Sequence, residues 1–375
     1  MRDWKMTTIA ECSTILGDGL HGTPKYDENG EYAFINGNNL HNGRIVIKPD
    51  TKRVGLSEYE KHKKELTDRT VLVSINGTLG NVAVYNGEKV ILGKSACYFN
   101  VSSDCDVQFM RYVASSPCFQ QYINSVATGT TIKNVSLKQM REYSFLIPEL
   151  EEQQRIAKVL HLLDQKIDNN QKINDNLQQQ LEALYRGTIK SSTSECHSVT
   201  LDEWCHIFTG KKNANQFDEN GQYVFFTCGE KPLRINSYVY DGPAIIISGN
   251  GSYTGRTLFY NGKFDLYQRT YACTLKEAMP ADFIFGLFAI LKIELHTKIA
   301  GGTHGSSIPY IVMNDLAKFE FPFNRAEFAD FSEKAKTLLT TIQHNQQQNE
   351  ALAQVRDALL PKLMSGEIDV SNINF

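Results

Sequence analysis

Two stretches of this chain carry residue types at nearly the spacing that catalysis requires, and each stops short. In Gly87-Glu88-Lys89-Val90-Ile91-Leu92-Gly93-Lys94-Ser95 a lysine and a serine follow a second glycine, as in a phosphate cradle. Five residues separate the glycines where four are needed, and the next residues read as a strand, not the helix N-terminus a phosphate would face. Pro49-Asp50 followed by Glu58-Tyr59-Glu60-Lys61 gathers acids near a lysine, as a metal-dependent nuclease core does, yet neither Glu58 nor Glu60 stands two before a lysine. An Asn-Pro-Pro-aromatic motif, which would hold a flipped base for methylation, is absent, as is His-Glu-x-x-His for zinc. The eight cysteines never form a Cys-x-x-Cys pair, so neither a disulfide nor a zinc site is expected. The chemistry left is recognition without catalysis.

Its candidate residues sit in turns dense in Asn, Thr, Ser and Lys. In the first half these are Thr23 and Lys25; Asn36, Asn38 and Asn39; Ser74, Asn76, Thr78 and Asn81; and Thr130, Thr131 and Lys133. The second half offers Lys211 and Lys212; Asn250, Ser252, Tyr253 and Arg256; and Thr303, His304 and Ser306. Such side chains, with exposed backbone N–H groups, suit phosphate oxygens and base edges. The same residue types mark ordinary turns, and composition alone does not separate the two readings. With 39 Lys and Arg against 42 Asp and Glu there is no overall basic charge, so any DNA contact must come from local faces.

The elements that position these turns occur twice. Asp27-Glu28-Asn29-Gly30-Glu31-Tyr32-Ala33-Phe34 returns as Asp218-Glu219-Asn220-Gly221-Gln222-Tyr223-Val224-Phe225, an offset of 191. Val71-Leu72-Val73-Ser74 returns as Ile245-Ile246-Ile247-Ser248, an offset of 174, so the first copy holds about 17 extra residues, placed in the Lys-rich stretch Lys52 to Arg69. Short β-branched or aromatic runs (Arg44 to Ile47, Thr70 to Val73, Val82 to Tyr85, Ala96 to Phe99) alternate with Asn-Gly or Gly turns, which predicts strands. A helical stretch from Val107 to Ser125, matched by Ala281 to Thr297, follows them. Pro148 and Pro322 close each globule and stop its last strand.

Behind each globule runs a heptad pattern. Steps of four and three from Ile156 reach Leu160, Leu163, Ile167, Asn170, Asn174, Leu177, Leu181 and Leu184. Adding 175 gives Phe331, Ala335, Leu338, Ile342, Asn345, Asn349, Leu352, Arg356 and Leu359, with asparagine at the same two seam positions. A 3.5-residue period is that of a coiled-coil seam, and a polar seam residue fixes register at some cost in stability. If the helix midpoints meet in an antiparallel pair, Asn170, Asn174, Asn345 and Asn349 form one buried polar layer.

The fold class expected is α+β: two similar β-rich domains (1–147 and 191–322), each followed by a long helix (148–190 and 323–375), the helices pairing as an antiparallel coiled coil. The start, MRDWKMTTIAEC, has no apolar signal core, and no apolar run approaches the ~20 residues of a membrane span, so a cytoplasmic location and no membrane partner are expected.

The whole chain resembles the specificity subunit of type I restriction-modification enzymes. The likeness is carried by Gly19 to Tyr26, by Ile147-Pro148 leading into Glu151-Glu152-Gln153-Gln154-Arg155-Ile156-Ala157, by Tyr240-Asp241-Gly242 before Ser248-Gly249-Asn250-Gly251, and by Leu363-Met364-Ser365-Gly366-Glu367-Ile368. The most specific motif is Glu-x-Gln-x-x-Ile-Ala; the second copy departs from it with Asn324-Arg325-Ala326-Glu327-Phe328. The resemblance implies two target-recognition domains, each reading half of a split, asymmetric DNA site. It implies partners as well: double-stranded DNA, methyltransferase (M) subunits, expected to be two, and restriction/translocase (R) subunits. S-adenosylmethionine, ATP and Mg²⁺ would serve those partner subunits, with no cofactor and no catalysis in this chain. A non-catalytic coiled-coil adaptor that spaces two modules without DNA selectivity is the alternative.

Overall fold

The computed structural model describes residues 4–190, 197–300, 310–371 and 373. The chain divides into two compact units, Met1–Asp168 with Asn349–Phe375, and Asn169–Gln348.

The first unit is built on an antiparallel sheet in the order Ser13–Asp18, Ala96–Val101, Thr70–Ser74, Val82–Val84. Strand alternation sends Val71 and Val73 to one face and Leu72 to the other. Val71, Val73, Cys97 and Phe99 share a core with Phe109, Met110, Phe119, Ile156 and Leu160. Leu72, Ala96 and Tyr98 meet Ala33, Ile35 and Leu92 on the opposite side. The last group belongs to a second sheet of Arg53–Val54, Tyr32–Ile35 and Val90–Leu92, the last two parallel. The expected helical stretch is two helices, Val107–Ser115 and Pro117–Val126, divided where Ser116 caps the second and Pro117 begins it.

In the second unit the same order returns as Cys205–Thr209, Thr270–Leu275, Tyr240–Ser248 and Thr257–Leu266, continued by Tyr223–Phe226 and Leu233–Ile235 in a single six-stranded sheet. The two sheets of the first unit correspond to this single one. Gly87 turns with φ +83° between Val82–Val84 and Val90–Leu92, whereas its counterpart Gly262 lies inside the continuous strand Thr257–Leu266. Ile245 and Ile247 face Leu287, Leu291 and the long helices; Ile246 faces Phe226 and Phe264.

The extra residues of the first copy fall in two places. The offset is 191 at Tyr32 and Tyr223, 181 at Val54 and Ile235, and 174 at Ser74 and Ser248. Ten therefore lie between Tyr32 and Val54, in the Asn-rich loop that folds into the small hairpin of Leu40–His41 and Arg44–Ile45. Only the other seven lie in the Lys-rich stretch first assigned to all of them, where Leu56–His62 is helical.

Each globule closes by pairing its first strand with its last: Lys5–Thr8 with Ser144–Ile147, and His197–Thr200 with Glu320–Phe323. Pro148 ends its strand as expected. Pro322 instead lies within Glu320–Phe323, in a two-stranded pair where the missing N–H is tolerated.

The two long helices are Leu150–Tyr185 and Arg325–Met364, called here the central and C-terminal helices. Gln153 of the Glu-x-Gln-x-x-Ile-Ala motif is buried at the start of the central helix. Its amide donates to the Pro148 carbonyl at 2.9 Å, and its oxygen accepts from the Asp106 N–H at 2.9 Å. Ile156 and Ala157 enter the core beside it. The second copy uses a different device: Asn324 caps the C-terminal helix, accepting from Ala326 and Glu327.

Pairing is antiparallel within each unit. In the first, Arg356 donates to Asp164 at 2.9 Å while Ile156 and Leu160 share a core with Leu360 and Leu363. In the second, Asn170 donates to Gln348 at 2.7 Å and Asn345 to Asn174 at 2.9 Å. Asn170 and Asn174 are buried, Asn345 and Asn349 half-buried. The midpoint pairing of Asn170 with Asn345 is thus displaced by one turn, and Gln348 joins the polar layer.

Candidate nucleic-acid interface

The first unit presents two loops laced side by side. Gly77 N–H donates to Lys133 O at 2.9 Å, Val135 N–H to Ile75 O at 2.8 Å, and the Asn76 amide to Asn134 Oδ1 at 3.0 Å. Gly77, Gly80 and Gly129 all have φ between +75° and +96°, which lets the backbone turn tightly at these points. The lacing leaves Thr78, Thr130, Thr131 and Lys133 exposed. Thr23, Lys25 and Asn38 are exposed too, the Lys25 backbone being held by Glu58.

Four other candidates from this half have their hydrogen-bonding groups turned inward. The Asn39 amide donates to the Val46 carbonyl and to Thr51, Asn36 Oδ1 accepts from Ser95, and the Ser74 hydroxyl oxygen accepts from the Asn81 N–H. The Asn81 side chain reaches the Gly37 carbonyl at 3.1 Å. These four shape the loops. Around Asn36, Asn38 and Asn39 lies a cleft of about 200 Å³ that also gathers Tyr26, Lys48 and Lys52. The two lysines were missed from sequence; the signal was their place in the segment between Tyr32 and Val54, which is ten residues longer than its counterpart.

In the second unit the contact at the foot of the equivalent 248–255 loop recurs, with Ile311 N–H donating to Gly249 O at 2.8 Å and Asn250 bridged to Tyr310. Ser252 and Tyr253 are exposed and Asn250 is half-buried. Arg256 lies over the Tyr253 ring at 4.6 Å and donates to the carbonyls of Gly229 and Glu230, so its guanidinium holds the 229–230 turn. Lys211 is exposed, while Lys212 is half-buried with its carbonyl accepting from Gln268. Thr303, His304 and Ser306 lie outside the described residues.

Among the described residues no cluster of His, Cys, Asp and Glu could hold a metal ion, and no helix is long and apolar enough to cross a membrane. The strand after Gly93-Lys94-Ser95 is Ala96–Val101, so no helix N-terminus stands behind that phosphate-like loop. The seven described cysteines are free thiols.

A duplicated β-rich globule, each copy presenting a polar loop after the same strand and packing on part of a long helix pair, is the plan of a modular recognition protein. The chain belongs to the type I restriction modification DNA specificity domain family, whose match covers residues 1–179 and 193–327. It is 35% identical over 176 residues to the type I restriction enzyme EcoDI specificity subunit of Escherichia coli, covering 46% of this chain and 38% of that protein. Over 418 aligned positions it is 22% identical to the type I restriction enzyme MjaIX specificity subunit of Methanocaldococcus jannaschii, covering 99% and 95% of the two. The fold is similar to the type I restriction-modification S subunit from M. genitalium, with a TM-score of 0.66 at 18% identity over 96% of each chain.

Proposed function

We propose that this chain is the DNA-recognition subunit of a type I restriction-modification assembly. In this reading it recognises a bipartite, asymmetric target and positions the methyltransferase and restriction subunits without catalysing a reaction itself. The observation that carries the reading is the recurrence, in both units, of the same strand order with a polar loop after the same strand and different exposed side chains on it: Thr78 in one, joined there by Thr130, Thr131 and Lys133, and Ser252 and Tyr253 in the other. One scaffold with two sets of exposed donors suits two different half-sites. Thr23, Lys25, Asn38 and Lys211 extend these surfaces, and Thr303, His304 and Ser306 are proposed contacts of the second half-site.

The modules bounded at 147/148, 190/191 and 322/323 would carry recognition in the globules and assembly on the helices. Two M subunits and R subunits would bring S-adenosylmethionine, ATP and Mg²⁺, and the assembly would work in the cytoplasm on double-stranded DNA. The test is co-expression with a type I methyltransferase (M) subunit from the same source, followed by mapping of methylated adenines. A split motif with two unlike halves is expected. An unmethylated genome, together with no salt-dependent, sequence-selective duplex binding by the purified assembly, would leave the adaptor alternative.

A further inference from the structure

In the first unit a single carboxylate joins three elements. Arg111, on the globule helix Val107–Ser115, donates to Asp164 Oδ2 of the central helix at 2.7 Å, and the Tyr112 hydroxyl donates to the same oxygen at 2.7 Å. Arg356 of the C-terminal helix takes Oδ1 at 2.9 Å. The side chains of Arg111 and Asp164 are 9% and 11% exposed, so the pair is nearly removed from water. Beside them Gly43, at φ +80°, lies so close that a Cβ would stand 2.3 Å from Arg111 Nε. Arg44 from the same small hairpin pairs with Asp168, one turn along the central helix.

The second unit builds the corresponding junction without charge. The repeat carries Arg111 to Phe285, Asp164 to Leu339, Arg356 to Leu181 and Asp168 to Gln343. Leu181 and Leu339 are buried in one core, and Phe285 packs against it. The equivalence holds on the sheet side as well: Val82 lines the cleft beside Asp164, and its counterpart Thr257 lines the groove beside Leu339.

We propose that Arg111, Asp164 and Arg356 are positioning residues that make each helix seat selective for its own globule. The inference stands whichever DNA sequence is read. The two globules share strand order, so apolar packing alone discriminates poorly between them. A buried charge discriminates well, because it must find its partner. The second globule on the first seat would set Phe285 against Asp164 and leave the carboxylate without Arg111 and Tyr112. The first globule on the second seat would press the Arg111 guanidinium onto leucines. Recognition globules would then exchange between related chains seat for seat, and a globule would change seats only together with these helix positions.

The experiment uses full-length chains in which residues 4–147 are replaced by a second copy of 197–322, with and without D164L and R356L. The plain chimera should lose most of its soluble yield, and the two leucines, which copy Leu339 and Leu181, should restore it. In the parent chain the same two substitutions should lower the melting temperature by several degrees, and adding R111F should recover most of that loss. A structural role without selectivity predicts that D164L/R356L harms both chains alike, and that result would overturn the proposal. Should neither chimera be soluble, the parent series decides: failure of R111F to rescue D164L/R356L is equally fatal.

Discussion

Asn345 donates its amide to Asn174 across the helix pair at 2.9 Å, leaving the buried Asn174 Nδ2 without a hydrogen-bond partner among the described residues. The polar layer therefore gives up part of its hydrogen-bonding capacity in exchange for register. A slide by one heptad would set these amides against Leu or Ile and leave further groups unpaired, at about 1–3 kcal/mol each. Replacing Asn170, Asn174, Asn345 and Gln348 together by leucine should raise the melting temperature and at the same time promote self-association, visible by sedimentation. A fall in melting temperature for the quadruple variant would mean that the amides contribute net stability and that register is set elsewhere.

Exposed and inward-facing loop residues should separate cleanly on substitution. Thr78→Ala with Lys133→Ala should weaken duplex binding and reduce its salt dependence while the melting temperature stays put, since both side chains are exposed. Asn39→Ala should do the reverse first, costing about 1–3 kcal/mol of stability because the Val46 carbonyl and Thr51 lose their donor. Filter binding across a salt series, paired with urea unfolding, distinguishes the two classes.

Exchanging residues 197–322 for the matching segment of another specificity subunit should change one half of the methylated motif and leave the other as it was. Base contacts then belong to the globules, and the helices to positioning. A change in both halves would break that division.

Duplication and helix period were legible in the sequence because both are patterns of residue type at fixed spacing. Val71 to Ser74 and Ile245 to Ser248 announce equivalent strands, and the Asn, Asn offset announces the seam. What a loop asparagine does was not legible. Asn38 and Asn39 are adjacent and identical in type, yet one is exposed and the other is buried with its amide spent on Val46 and Thr51. Asp164 escaped notice for a related reason. It lies one residue off the heptad seam, and only the fold brings Arg111, 53 positions earlier, into contact with it. Arg356 was visible on the seam, but a charge there has no meaning until its partner is known.

Gln153 gives the Glu-x-Gln-x-x-Ile-Ala motif a testable physical role. It joins the residue that ends one strand, Pro148, to the cap residue of the helix Val107–Ser115, Asp106. Gln153→Leu preserves much of the volume and removes both hydrogen bonds, stranding a carbonyl and an N–H at about 1–3 kcal/mol each. The urea midpoint should fall, and hydrogen exchange should quicken first at Asp106. Unchanged protection at Asp106 would show that the motif acts through another contact.

The charged junction of the first unit sets an acid limit on its stability. Burial alone would raise the Asp164 carboxyl, but Arg111, the Tyr112 hydroxyl and Arg356 together hold it below its ordinary value of 3.8. A carboxyl depressed in the folded state contributes stability that is fully present above its unfolded value, and that contribution fades as pH falls through the folded one. His161, whose burial lowers its proton affinity below the ordinary 6.5, also favours the unfolded state on acidification, beginning at higher pH. The two are separated by making Asp164→Asn in a His161→Gln parent, since Asp164 itself raises the proton affinity of His161 and the imidazole must be absent from both chains. At pH 7 the variant should be less stable by about 3 kcal/mol, the scale of a buried ion pair deprived of one partner. Below pH 3.8 that difference should shrink toward zero as the parent's own carboxyl takes up its proton. Urea midpoints measured from pH 7 down to pH 3 would follow the convergence, and a gap that stayed constant would show that the carboxylate charge is not what holds the globule helix to the two long helices.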